Sequence, residues 1–237
     1  MTFAFRLLVT ATASLALCGC NQVISTEPWF GAEDAVGAPK LRDGLWVLVR
    51  ADCRFDRAKP SESWPDCALP WVVRGDEWLA AEWDEQDEGR KARRTFSGWT
   101  STPVVIANGE PLILQYPIAN GPSANSDEAG ATGSKSYWYF AMRPAEFDVD
   151  GKAVGFALWD VACGPLPAHP KGKRSHVGDD WAEETATVTD RPFPGLVITD
   201  KNCTAESTEA LRGAAVLSET LDEEGPANAH WVRDGWH

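Results

Sequence analysis

The chain has no GxSxG nucleophile motif, no glycine-rich phosphate loop, no CxxC or CxxH spacing, and no apolar run long enough to span a bilayer as a permanent helix. These gaps remove the motif-based cases for serine hydrolysis, nucleotide binding, structural zinc and transmembrane anchoring. Four histidines in 237 residues leave few candidates for a base, and none stands in a recognisable nucleophile motif. Positive charge is scarce as well. With 22 Lys and Arg against 35 Asp and Glu, the net charge of −13 makes bulk attraction to nucleic acid or anionic headgroups unfavourable. No internal repeat of fixed period is visible, so a solenoid or propeller is not indicated.

What is present begins at the N-terminus. Arg6 precedes an apolar run from Leu7 to Leu17, closed by Leu17, Cys18, Gly19 and Cys20 and followed by polar Asn21 and Gln22. A basic start, a short apolar stretch and small residues before a cut describe a removable export signal. The closing four residues resemble the lipobox of bacterial lipoproteins, with Cys18 where Ala or Ser is more usual. Taking Cys18 as the acceptor would put bulky Leu17 before the cut, so Cys20 is the expected lipid attachment site. The resemblance implies a diacylglycerol thioether on Cys20 and an acyl group on its new amino terminus, an anchor of several chains at about 0.8 kcal/mol per buried CH₂. Asn21 after the acceptor favours the outer membrane. An ordinary cleaved signal, leaving a soluble periplasmic protein, is the alternative.

The expected organisation is a signal peptide over 1–19, a lipidated tether over 20–40 and one β-rich domain over 41–237. Removing 1–19 takes Arg6 away, leaving 218 residues with 21 cations against 35 acids, a net charge of −14. Four cysteines remain beyond the signal, and an even count in an exported chain points to disulfides. Proximity in sequence pairs Cys53 with Cys67 and Cys163 with Cys203. In the chain-entropy account the first is worth about 3 kcal/mol and the second about 4. A metal site is not expected, and no cofactor is implied.

Turn residues and alternation place strands at 45–49, 71–74, 77–83, 104–107, 111–116, 137–147 and 153–163. Asn108 and Gly109 mark a hairpin turn, as do Asp150 and Gly151. Residues 119–135 and the proline-rich 164–194 read as loops. One helix is expected from about Ala205 to Ser218, capped by Thr204, with Glu206 and Glu209 in its first turns. About nine short strands against one C-terminal helix make the chain mainly β, a sandwich or irregular barrel.

The 12 tryptophans supply the candidate chemistry. Trp46, Trp71 and Trp159 sit in apolar strand pattern and are expected in the core. Trp64, Trp83, Trp99, Trp138 and Trp181 have polar neighbours; Trp64 and Trp138 are the candidate ligand-binding rings, since an indole face suits the C–H side of a sugar ring. The carboxylates Asp84, Glu85, Asp87 and Glu88 precede Arg90, Lys91, Arg93 and Arg94, a block that reads as a solvated loop or helix turn rather than a glycosidase pair. Asp148, Asp150 and Gly151 fit a hairpin turn better than a calcium loop. His169, Lys171, Lys173, Arg174 and His176 form a local basic segment.

Gly44, Leu45 and Trp46 match the GxW that opens the first strand of lipocalins, and this resemblance implies a ligand barrel with Arg233 packed over the tryptophan. The family's TDY is absent, because Lys201 follows Thr199 and Asp200. Most of the mature chain resembles uncharacterised envelope lipoproteins of alphaproteobacteria, through LRDGLW at 41–46, the Cys53–Cys67 segment with Trp64 and Pro65, and HWVRDG at 230–235. That resemblance transfers no site residues. The expected role is binding or scaffolding in the cell envelope, with the membrane and an envelope glycan or protein as partners. A lipocalin-like small-ligand carrier and an enzyme on envelope glycans are the alternatives.

Overall fold

The computed structural model describes residues 21–49, 53–87, 92–119, 135–166, 188–199, 202–221 and 225–236. Among them the chain is mainly β, with one α-helix near the C-terminus. The strands are β1 (Ile24–Ser25), β2 (Gly44–Val49), β3 (Ala68–Arg74), β4 (Glu77–Asp87), β5 (Ala92–Pro103), β6 (Val105–Ala107), β7 (Leu112–Ala119), β8 (Lys135–Phe147), β9 (Ala153–Asp160), β10 (Leu196–Ile198), β11 (Cys203–Ala205) and β12 (Ala227–Arg233).

Nine strands form one antiparallel sheet in the order β5-β4-β3-β2-β12-β9-β8-β7-β6, curled into a half-barrel. Only Val104 separates β5 from β6, so the two ends of the sheet are successive pieces of one chain segment. β12 is the seam, pairing β2 on one side and β9 on the other. β1 pairs with the start of β8, and β10 with β11 forms a small separate ribbon.

Period-two alternation divides the side chains into three cores. Trp46 and Leu48 of β2, Trp71 and Val73 of β3, Leu112 and Leu114 of β7, Phe140 and Met142 of β8 and Phe156 of β9 meet on the concave face. The alternate residues go outward to two satellites. Leu45, Val47 and Val72 pack with Trp64 and Leu79, beneath the segment that carries Cys53 and Phe55. Ile113, Tyr139, Ala141 and Trp159 pack with Val23, Phe30 and helix α1 (Thr208–Ser218). β2 is buried on both faces, which is why its sequence is an unbroken apolar run rather than an alternating one.

Helix α1 buries Leu211, Ala214 and Ala215, small enough to let it lie close on the sheet, and the Trp159 indole donates to its Ala215 carbonyl at 2.8 Å. Its N-cap is Ser207, whose hydroxyl accepts from the Ala210 N–H at 3.1 Å. Thr204, the expected cap, lies instead in β11. Residues 203–205 are drawn into the ribbon because Cys203 is fixed by its disulfide and pairs with Ile198.

Two other expectations change. The hairpin expected at Asn108 and Gly109 forms between β6 and β7, but with a four-residue turn, 108–111, where the Arg212 guanidinium of α1 donates to the Asn108 carbonyl at 2.7 Å. In the charge block at 84–94 the described residues, 84–87 and 92–94, are strand rather than loop or helix turn and extend the β4–β5 hairpin, with Glu85 opposite Arg94.

Candidate functional site

The tether expectation for 20–40 gives way from Asn21 onward. Asn21 and Gln22 are buried, and Val23 is wholly inaccessible. Asn21 donates through Nδ2 to the Gly164 carbonyl at 2.7 Å, accepts at Oδ1 from the Thr189 N–H at 3.2 Å, and accepts at its backbone carbonyl from Cys163 N–H at 2.8 Å. Gln22 donates to the Asp160 carboxylate at 2.6 Å, and its carbonyl accepts from Cys203 N–H at 3.3 Å. Farther on, buried Gln115 clamps the segment. Its Oε1 accepts from the Trp29 and Phe30 N–H groups at 2.7 and 3.0 Å, and its Nε2 donates to the Phe30 carbonyl at 3.0 Å. A segment read as spacer because it lacks a hydrophobic period is held by side-chain amides, which periodicity does not detect.

Both expected disulfides form: Cys53 with Cys67 and Cys163 with Cys203, at Cα separations of 5.6 and 5.7 Å. The second lies in the core under the N-terminal segment, and both cysteines are nearly inaccessible. Beside this staple, Ser25, Thr26, Glu27 and Trp29 face Thr199, Asn202 and Thr204 across an open hollow of about 520 Å³. It offers an indole, hydroxyls, an amide and a carboxylate. On its inner side the Ser25 hydroxyl hydrogen-bonds the Tyr139 phenol at 2.5 Å, and burial pushes that phenol up to about 12.

Trp64 and Trp138 do not form a shared platform. Trp64 is only 8% exposed, tilted against Phe55 with ring centroids 4.9 Å apart and donating to the Lys59 carbonyl at 3.3 Å. The polar neighbours that suggested exposure belong to the loop that covers it. One edge of Trp64 borders a smaller hollow with Pro65, Leu69 and Trp83. Trp138 is half-buried on the concave side against Phe140, whereas Trp64 belongs to an outer satellite. Trp29 is the ring that lines the 520 Å³ hollow.

The concave face carries a ring cluster in which Trp46 lies 6.0 Å from Trp71 and 5.3 Å from Phe156, and Trp71 lies 5.6 Å from Trp78. These rings fill the side on which a lipocalin-like carrier would hold its ligand. Arg233 donates to the Arg57 carbonyl at 3.0 Å, and the guanidinium recorded over an indole on this seam is that of Arg42, 3.9 Å from the Trp231 ring.

The segments 41–46 and 230–235 are brought together. Arg42 pairs with Asp234 at 3.1 Å and Asp148 at 3.6 Å, and the Trp231 indole donates to the Asp43 carbonyl at 3.0 Å. The Gly75 N–H at 2.7 Å, then Lys152 at 3.4 Å, hold the Asp43 carboxyl below its ordinary value. Gly44 sits at φ +126°, where a Cβ would lie 2.3 Å from the Arg233 carbonyl oxygen. Glycine is required there for two reasons, conformation and contact. This network closes the β2–β12 seam and explains both segments structurally.

Cys20, the signal region, the basic segment at 169–176 and Trp181 lie outside the described residues. Among the described residues no group of three or more His, Cys, Asp or Glu could hold a metal ion, and no helix is long and apolar enough to cross a membrane. No protein-family model, no curated protein and no solved structure matches the chain.

Proposed function

We propose that the chain is a lipid-anchored protein of the bacterial cell envelope, attached through Cys20 at the outer membrane, whose domain binds or scaffolds. The observation that carries this reading is the order of residues at the N-terminus. An apolar run ends in Leu17, Cys18, Gly19 and Cys20, and the next residue, Asn21, is held in the fold by its side chain. Cleavage before Cys20 would leave that buried residue, Asn21, next to the acylated amino terminus. Two disulfides suit the oxidising compartment that such a signal leads to.

Cys20→Ser is expected to abolish acylation, seen as loss of the lipid mass, and to move the protein out of the membrane fraction. A Cys20→Ser protein that matures at the same mass and still fractionates with membranes overturns the anchor.

For the ligand, the hollow beside Trp29 supports an envelope glycan better than Trp64 or Trp138 does. A partly buried indole with Ser25, Thr26, Glu27 and Thr204 around it combines an apolar face with hydroxyl-binding groups. Titration with peptidoglycan fragments or lipopolysaccharide core is expected to change intrinsic fluorescence, and Trp29→Ala to remove the change. A response that survives Trp29→Ala places the sugar elsewhere.

A further inference from the structure

We propose that the acylated domain rests directly on the bilayer, in one orientation, through the face around Asn21. This rests on the reading of Cys20 as the acylated residue. Consecutive Cα atoms are 3.8 Å apart, so the thioether sulfur of Cys20 lies within about 7 Å of the Asn21 Cα. Asn21 is itself part of the fold, fixed by Gly164, Thr189 and Cys163. A diacylglycerol whose glycerol sits at headgroup depth therefore brings these groups to the headgroups, with no spacer to let the domain turn away.

The surroundings of Asn21 are suited to that contact. Leu166 is 43% exposed and follows Pro165, whose carbonyl accepts from the Thr189 hydroxyl at 2.6 Å. Ile198 is 38% exposed and pairs with Cys203, the residue that donates to Gln22. Leu217 is 45% exposed and precedes Ser218, which accepts from the N–H of Ala162, the bridge partner of Gln22. Three aliphatic side chains thus stand within a few bonded neighbours of the anchor. Among the described residues the charged groups close to Asn21 include Asp160, which accepts from Gln22, and Asp190 and Arg191, which pair at 3.6 Å. The β8–β9 turn, with Val149 fully exposed, is far away. From Ala153 beside that turn to Cys163 beside Asn21 the chain runs ten residues, about 30 Å if extended.

The test uses the full acylated protein in phosphatidylethanolamine and phosphatidylglycerol vesicles containing brominated lipid. A bimane fluorophore is placed in separate variants at Leu166→Cys, Ile198→Cys, Leu217→Cys and Val149→Cys, with intact mass read on each. Labels at 166, 198 and 217 are expected to lose at least half their emission, and the label at 149 to lose none. Inserting twelve Gly and Ser residues between Cys20 and Asn21, a spacer of about 19 Å root-mean-square length, is expected to cut the quenching at least threefold while the acyl mass is kept. If acylated protein quenches at 166, 198 and 217 no more than at 149, or if the spacer changes nothing, the apposition is wrong and the anchor stands. If the mass shows no acyl group, the anchor reading fails and takes the apposition with it.

Discussion

The Cys53–Cys67 bridge closes a segment of 14 residues over Leu45, Val47, Trp64 and Val72, whereas Cys163–Cys203 spans 40 residues and joins parts of the chain that are far apart. The first staple is local and half-exposed, and it pins one loop over one satellite core. The second is buried, and its two sulfurs lie 3.3 and 3.8 Å from the Gln22 carbonyl oxygen. Around it converge the end of β9, the β10–β11 ribbon and the first residues after the proposed anchor. One bridge stiffens a cover; the other holds together the end of the molecule where the lipid would pull.

Removing the second bridge is the sharpest way to break that comparison. Cys163→Ala with Cys203→Ala is expected to cost about 4 kcal/mol in urea unfolding, by release of the longer loop. It should also expose residues 21–30 to chymotrypsin at Trp29 and Phe30, because the bridge holds in place the backbone N–H groups of Cys163 and Cys203 that donate to the Asn21 and Gln22 carbonyls. Loss of stability without cleavage in 21–30 would show that the hydrogen bonds of Asn21, Gln22 and Gln115 hold the segment without the bridge.

Cys53→Ala with Cys67→Ala is expected to cost about 3 kcal/mol and to leave 21–30 protected. Here trypsin should cut after Arg54 and Arg57, between Cys53 and Cys67, while chymotrypsin should leave Trp29 and Phe30 uncut. Equal costs for the two pairs, or cleavage of 21–30 in both, would erase the distinction between a local and a global staple.

The same contrast explains how far the sequence could be read. The mainly β class, the helix near the C-terminus and both disulfides were legible, because alternation, turn residues and cysteine spacing are local signals. β12 was not placed as the seam between β2 and β9, since its partners lie far away in sequence. Residues 21–30 looked like spacer because Asn21, Gln22 and Gln115 hold them through amide hydrogen bonds rather than through a repeating apolar face. Trp64 looks available because Pro60, Ser63 and Asp66 around it are polar or turn-forming, yet Phe55 packs on its ring and the Lys59 carbonyl takes its N–H. The hollow beside Trp29 needs 24–29 together with Thr199, Asn202 and Thr204, a pairing that no local pattern contains.

Alkaline titration separates the two satellites by a smaller effect. Tyr139 lies in the satellite that holds the N-terminal segment, where burial, opposed by its hydrogen bond with Ser25, raises the phenol to about 12. The unfolded chain releases this proton near its ordinary value of about 10. Between pH 10 and 12 the unfolded state therefore binds fewer protons than the native one, and stability falls as pH rises. The slope from this one group is at most about 1.4 kcal/mol per pH unit, and below pH 10 its contribution is fully present. Tyr139→Phe keeps the ring and removes the titrating proton, so subtracting its pH profile from that of the parent isolates the effect from lysines that titrate in the same range. The difference is expected to be flat to pH 10 and then to decline, with hydrogen exchange at Val23 rising before exchange at Val47. A flat difference through pH 12 would mean that the phenol is reached by water in the folded protein and that β1 is looser on β8 than its pairing implies.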